Sequence, residues 1–453
     1  MTFFDELAET EGDEEFKAWL SKMIDVKQEI VEFVASRREG NEIGEFDSYR
    51  KGSFNLSLVV RFSNGPKAVI RFPKPGHTAT CLRDEKVRNE VNFISCLMEL
   101  TTIPVPRVVS WGTTEESPQL LGPFMIMDYI DGTSLATILK QPTDSEKDEV
   151  ILVTDVDEMV LDGIYEQLAD YMLQLARLDF SLIGAIAKHS STDKWTVDQR
   201  PLTYNMNELA TVVSNYPTEG FPTVPFTSAK TYLHALADEH LIHLRTQRNL
   251  AADPEDARKR FIARHRFKQL VSRYCPDDTD TGPFKPFCDD LQPTNMLVDP
   301  DTLRITAVLD FEFTNSQPSQ FAYDPPWWLL LLGPDMWLEN HSMEEFTNRY
   351  IPRMEQFLRA LERVEATQES RGGRRDNVRL SEEMRDSWAT GRFWFDYGIR
   401  KSFDVDAVYW AALHREGDDD FLRNEMKEEM ETFVEMKMEQ LKAYDAECRE
   451  RFS

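Results

Sequence analysis

Residues 288–313, CDDLQPTNMLVDPDTLRITAVLDFEF, constrain the fold of this chain more than any other stretch. Two short apolar segments, NMLV and LRITAVLD, are joined by DPDT, whose Pro and Asp favour a tight turn, so the stretch reads as an antiparallel hairpin. Asn295 opens its first strand and Asp310 closes its second, which places both at the open end, with Asp290 on the loop just ahead. Two carboxylates and an amide oxygen converging there suit Mg²⁺, a hard cation that keeps several waters and binds substrate phosphate.

What precedes the hairpin falls into two patterns. Phe16, Leu20, Met23, Ile30 and Phe33 recur at helical spacing and predict an acidic amphipathic helix over 14–37. From Phe46 the chain turns strand-like: SLVVRF at 57–62, the turn SNGP, then KAVIRF at 67–72, a predicted antiparallel hairpin. A helix over 85–100 carries Val87, Val91, Ile94 and Leu97 on one stripe, the prolines of TTIPVPRVVSWG hold the next segment extended, and PFMIMDYI reads as a strand. Strand, strand, helix, strand, strand is the order of a small α+β lobe. After Thr133 the periodicity is mainly helical, as in Tyr165, Leu168, Tyr171, Met172, Leu175 and Leu178. Three regions follow: a helical extension over 1–45, a sheet lobe over 46–132 and a helical lobe over 133–453 that carries the hairpin.

Composition excludes several functions. At 453 residues and 41% hydrophobic, the chain can bury a large core. A formal charge of −28 opposes nucleic-acid binding, which is driven by Lys and Arg displacing counterions. The five cysteines are scattered with no C-x-x-C pair, the first residues MTFFDELAETEGDEEF are acidic, and no apolar run has the length of a membrane span; these point to a soluble protein of the reducing cytoplasm.

The spacing Asp290-Leu-Gln-Pro-Thr-Asn295, with Asp310-Phe311-Glu312 where kinases carry D-F-G, resembles the aminoglycoside phosphotransferase and choline kinase family, in particular a fungal-type branch with F-x-x-D-L-x-P-x-N, DFEF and PPWWLL; here the last is DPPWWLLLL at 324–332. The likeness runs in order over about 46–340. It implies an α+β, bilobal protein-kinase-like fold with a small antiparallel-sheet N-lobe and a large helical C-lobe. It also implies a small-molecule kinase that moves the γ-phosphate of ATP, with Mg²⁺, to an acceptor hydroxyl. Carried over position by position, Asp290 orients or deprotonates the acceptor, while Asn295 and Asp310 hold metal. Gly52, Ser53 and Asn55 cover the phosphates, Arg71 is the phosphate-binding cation and Glu90 orients it, and the backbone of Met127, Asp128 and Tyr129, in a hinge at 127–132, meets adenine. The resemblance to a family that holds amino-bearing substrates on acidic helical-lobe surfaces, together with the excess of 80 acids over 52 bases, implies a small hydroxyl acceptor that is cationic or amine-bearing.

Departures from the family pattern are specific. Cys288 stands where the family usually has His, Arg71 where many kinases have Lys, and the chain has no G-x-G-x-x-G. These leave open a nucleotide-binding pseudokinase or scaffold, and a two-metal phosphohydrolase built on Asp289, Asp290 and Asp310 is a further alternative. Other eye-catching residues have plainer readings. Asp299 and Asp301 are turn residues, and Asp289 is a hydrogen-bonded loop acid. His234, His240 and His243 lie on a helix surface and are not a zinc site; Trp327 and Trp328 pack in the core before they wall a pocket. Met426, Met430 and Met436 beside Phe433 and Val434 pack against their own lobe, and RGGRR at 371–375 and EGDDD at 416–420 are solvated loops.

Overall fold

The computed structural model describes residues 4–38, 43–143, 149–275, 277, 279–370, 378–415 and 424–453. RGGRR at 371–375 and EGDDD at 416–420 lie outside the described residues. A five-stranded antiparallel sheet in the order β1-β2-β3-β5-β4 forms the small lobe, from β1 (Gly44–Lys51), β2 (Asn55–Phe62), β3 (Lys67–Pro73), β4 (Val108–Gly112) and β5 (Phe124–Asp128). The two strands foreseen at 57–62 and 67–72 are β2 and β3; β1, half polar and on the sheet edge, joins them.

Alternation along β3 sorts its side chains between the two faces of the sheet. Ala68, Ile70 and Phe72 are fully buried with Ile30 and Val34 of the opening helices, whereas Val69 and Arg71 point to the opposite face, toward the inter-lobe cleft. Helix α3 (Arg83–Leu100) covers that face with Val87, Val91 and Ile94, which join Met125 and Met127 in the main core.

The single helix expected over 14–37 is two: α1 (Glu6–Asp25) and α2 (Lys27–Ser36), bent at Val26. The bend lets them face different walls. Ile30, Val31 and Val34 of α2 pack on the sheet, while α1 lies across both lobes. Its N-cap Asp5 accepts from the backbone N–H groups of Leu7 and Ala8 and, through its other oxygen, from Ser214 N–H at 3.1 Å in the helical lobe. Farther along, Trp19 Nε1 donates to Leu121 O at 2.6 Å in the sheet lobe. The N-terminus of α1 also meets the far end of the chain, where Glu6 N–H donates to Tyr444 Oη at 2.8 Å and Arg451 pairs with Glu14 at 2.6 Å.

The large lobe is helical, with α4 (Leu135–Leu139), α5 (Glu158–Ala176), α6 (Tyr204–Val212), α7 (Ala229–Thr246), α8 (Pro254–Tyr274) and further helices that include Met343–Ser370, Arg392–Ile399 and Asn424–Arg451. Its core is rich in aromatics, Trp337, Tyr350, Phe357 and Phe395 among them. Met430, Phe433 and Val434 of the last helix are buried against Leu244 and Phe261, as the methionine stripe implied. Among the described residues no helix is long and apolar enough to cross a membrane.

His240 and His243 overturn one expectation: they are buried, at 1% and 0% exposure, and not at a helix surface. The loop after Ile399 and helix α8 close over them. His240 Nδ1 meets Ser402 Oγ at 2.8 Å, His243 Nε2 meets Gln247 Oε1 at 2.5 Å, and the Arg264 guanidinium, paired with Asp406, lies 3.1 Å from His243 Nδ1. Burial and that guanidinium hold both imidazoles neutral, His240 down to about 3.

Candidate active site

Strands Met296–Val298 and Ile305–Val308 form the foreseen hairpin, closed by Asp299, whose Oδ1 accepts from the N–H groups of Asp301 and Thr302. At its open end Leu309 N–H donates to Asn295 O at 2.7 Å, which ties the two strand ends together. Asp310 follows with φ of 64°, a left-handed conformation that Asp tolerates better than most residues and that turns its carboxylate into the cleft.

Five predicted residues meet there. Asn295 Nδ2 donates to Asp290 Oδ2 at 2.6 Å, and Gln292 donates to the other Asp290 oxygen. Arg71 Nη1 reaches Asp310 Oδ1 at 3.1 Å, while its Nη2 pairs with Glu90. Burial, with Glu312 and Asp289 adding repulsion, pushes the Asp290 carboxyl up to about 6 against the two bonds it accepts. Burial and then Glu312 push Asp310 up as well, with only Arg71 and Lys86 opposing. For Arg71 burial works against the cation, but Glu90, Asp310 and Glu312 outweigh it and keep the guanidinium charged.

Asn55 is placed differently from a simple phosphate contact. Its amide donates to Glu312 Oε2 at 2.8 Å and accepts from Lys86 Nζ at 3.0 Å, and Lys86 itself pairs with Glu312. This buried triad links the β1–β2 turn, α3 and the segment after Asp310. Burial opposes the Glu312 charge, yet Lys86 and Arg71 hold its carboxyl below the usual range. Gly52 and Ser53 line the cleft, and their carbonyl oxygens accept from buried Lys74 Nζ at 3.2 and 2.7 Å. Lys74, Lys86 and Glu312 were not foreseen as site residues. Lys86 had a signal, since it lies four residues before Glu90 and so shares its helix face.

Two connected chambers fill the cleft. One of about 370 Å³ is walled by apolar side chains, Val59, Val69, Ile94, Met125 and Leu297, and by Met127 to Ile130; the other, of about 780 Å³, is polar and holds Asp290, Asn295 and Asp310. The hinge residues Met127, Asp128 and Tyr129 line the apolar chamber. Asp128 N–H and Tyr129 N–H already donate to Arg107 O and Lys67 O, and the Asp128 carboxylate pairs with Arg38 and Arg107. Trp328 is core, but Trp327 lines the polar chamber and donates from Nε1 to Asp289 O at 3.0 Å. Cys288 is buried, its Sγ directed to Asp310 O at 3.9 Å, and burial pushes the thiol well above its ordinary range. Asp289 pairs with Arg400 at 3.2 Å, so it does not join the carboxylates that face one another in the cleft.

Those carboxylates decide which metal suits the site. Among the described residues, oxygens of Glu90, Asp310 and Glu312 lie within 4.8 Å of one another. A donor set of oxygens alone, at which burial and mutual repulsion leave Asp310 short of positive charge, fits a hard divalent cation such as Mg²⁺.

Opposite Asp290 the polar chamber ends at Tyr204, Asp335 and Lys401. Lys401 Nζ donates to Tyr397 Oη at 2.9 Å, and Tyr397 donates to Asp335. Behind Tyr204, burial and the nearby Asp404 push Glu208 up to about 8. A carboxyl whose folded value is raised favours the folded state below its unfolded value and loses that contribution as pH rises through the folded one. Stability should therefore fall by at most about 4 kcal/mol between pH 5 and pH 8.5 on account of this group. In denaturant titrations, Glu208→Gln is expected to match the parent near pH 5 and exceed it at pH 8.5; equal midpoints at both values would remove Glu208 as the source.

Comparisons with known proteins agree in kind. A stretch of 168 residues, 33% of this chain and 31% of the relative, is 25% identical to a subtelomeric hrmA-associated cluster protein of Aspergillus fumigatus, so the match spans about a third of that protein's length. The structure of a candidate aminoglycoside phosphotransferase from Ralstonia eutropha aligns over 92% of this chain and 98% of its own, at 13% identity and a TM-score of 0.47. A Plasmodium vivax ethanolamine kinase aligns over 91% of this chain and 84% of its own, at 12% identity and a TM-score of 0.40. The model of the phosphotransferase enzyme family matches residues 49–324, from the end of β1 through the hairpin to Asp324. With more than half of its residues in that match, and a bilobal kinase-like fold around the cleft, the chain belongs to the phosphotransferase enzyme family.

Proposed function

We propose that this protein is an active small-molecule kinase that transfers the γ-phosphate of ATP, bound with Mg²⁺, to a hydroxyl of an amine-bearing acceptor. The observation that carries this reading is the convergence of Asp290, Asn295, Asp310 and the Arg71–Glu90 pair on one chamber. A scaffold that had lost its chemistry would have no need to keep them together.

The adenine occupies the apolar chamber beside Met127, and the triphosphate runs under the turn at Gly52 and Ser53. Arg71, fixed by Glu90, meets phosphate oxygens; its planar guanidinium suits two-point contact where lysine gives one. Asn295 and Asp310 would hold the metal, with Glu312 beside them. Bound there, Mg²⁺ neutralises phosphate charge. Asp290 accepts a hydrogen bond from the acceptor hydroxyl, aims its oxygen along the line of attack and takes up its proton as the phosphoryl group moves. The pair of bonds from Gln292 and Asn295 holds the carboxylate in that attitude. Positioning and charge stabilisation account for the rate without a covalent intermediate.

The acceptor lies between Asp290 and the wall of Tyr204, Trp327 and Asp335. Lys401 offsets the Asp335 charge in that wall, so the attraction for a cationic group comes from Asp290 and the aromatic faces of Tyr204 and Trp327. The cytoplasmic setting is part of the same proposal and draws on five unpaired thiols. An acceptor screen with γ-labelled ATP tests the reading: labelled amino alcohols or amine-bearing sugars are expected, with rates that fall as salt rises. Label passing only to neutral or anionic alcohols, at rates indifferent to salt, would remove the amine preference; label released only as inorganic phosphate would remove the kinase.

A further inference from the structure

We propose that Arg400, 110 places beyond Asp290 in the chain, is a positioning residue that fixes the catalytic loop from behind; the proposal rests on the kinase reading above for the role of Asp290. Arg400 follows the helix Arg392–Ile399 and is only 8% exposed. Its guanidinium lies 4.3 Å from the ring centroid of Phe287 and 4.8 Å from that of Phe321, and its Nε is 3.2 Å from Asp289 Oδ1.

The consequence is a grip on the residue next to Asp290 at two points. Arg400 faces the Asp289 carboxylate as an ion-pair partner at 3.2 Å, without hydrogen-bond geometry, and Trp327 Nε1 donates to the Asp289 carbonyl at 3.0 Å. Cys288 adds only a long thiol contact at 3.9 Å; Gln292 and Asn295 hold Asp290 itself, and Asp289 is the loop's tie to Arg400 and Trp327. Among the described residues, Arg400 Nε and Nη1, Asp289 Oδ1 and Asp324 Oδ2 make no hydrogen bond; the three residues border a pocket of about 60 Å³, room enough for water to bridge them. A buried ion pair is seldom a stability device, because replacing both charges is often neutral while removing one leaves the other stranded. Geometry is what this pair supplies.

The two roles separate experimentally. ADP formation from Mg·ATP, melting temperature and amide exchange over 287–291 are measured for Arg400→Met, Asp289→Asn, the double variant and Arg400→Lys. Arg400→Met is expected to lower turnover at least 30-fold at unchanged KM for ATP and to speed exchange of the loop. The double variant should recover the parental melting temperature but not the turnover, and Arg400→Lys should recover part of it. Turnover that returns together with stability in the double variant, or an Arg400→Met rate within threefold of the parent, overturns the proposal. Should the parent form no ADP, the kinase reading fails separately, and exchange alone decides: faster loop exchange in Arg400→Met sustains the positioning role, unchanged exchange ends it.

Discussion

Asp290→Asn is expected to lower phosphoryl transfer by about 10²–10⁴-fold while Mg·ATP binds with near-parental affinity. The substitution keeps the shape of the side chain and removes only its charge and its capacity to take a proton. One amide oxygen then replaces two acceptor oxygens, so Gln292 and Asn295 can no longer both donate to it, and the loop loses a bond as well as a base. Neither loss touches the apolar chamber or Arg71, which is why binding should survive. Calorimetry with Mg·ATP and single-turnover transfer to an acceptor from the screen measure the two halves separately. Full turnover in the variant would deny Asp290 its role; loss of binding together with transfer would place it on the nucleotide instead.

Asp310→Ala has the opposite signature. In the presence of Mg²⁺, nucleotide affinity should fall about 100-fold, a loss of roughly 3 kcal/mol. With the metal chelated, affinity should hold or improve slightly, because a carboxylate facing the phosphates has gone and Arg71 keeps only Glu90 as its direct partner. The contrast between the two titrations is the informative quantity. An unchanged dissociation constant with Mg²⁺ present would show that the metal is held without Asp310, and equal losses in both titrations would mark a collapsed pocket.

The parts of this site that a reader of the sequence could see are those that local structure brings together. Asn295 and Asp310 flank one hairpin whose turn sets their spacing, and Asp290 lies on the loop just ahead of it. Arg71 was visible because strand alternation assigns it a face. Asn55 and Glu312 are 257 residues apart, and nothing in either neighbourhood announces the bond between them. Arg400 is hidden for the same reason. The buried histidines failed in another way: a helix reads as having a polar surface stripe until Arg264 and Ser402 are known to close over it. The bend at Val26 carries no glycine or proline, so periodicity ran straight through it.

The bridge from α1 to the last helix bears on how the chain is made. Tyr444 and Glu6 are 438 residues apart, and a ribosome adding roughly 5–20 residues per second separates their appearance by about 20–90 s. Throughout that interval the buried face of α1, with Asp5 and Phe16, has only part of its eventual surroundings. Helix α1 is thus synthesised well before the last helix and is among the last elements to be fully seated, which makes its apolar stripe a natural place for chaperones to hold the nascent chain.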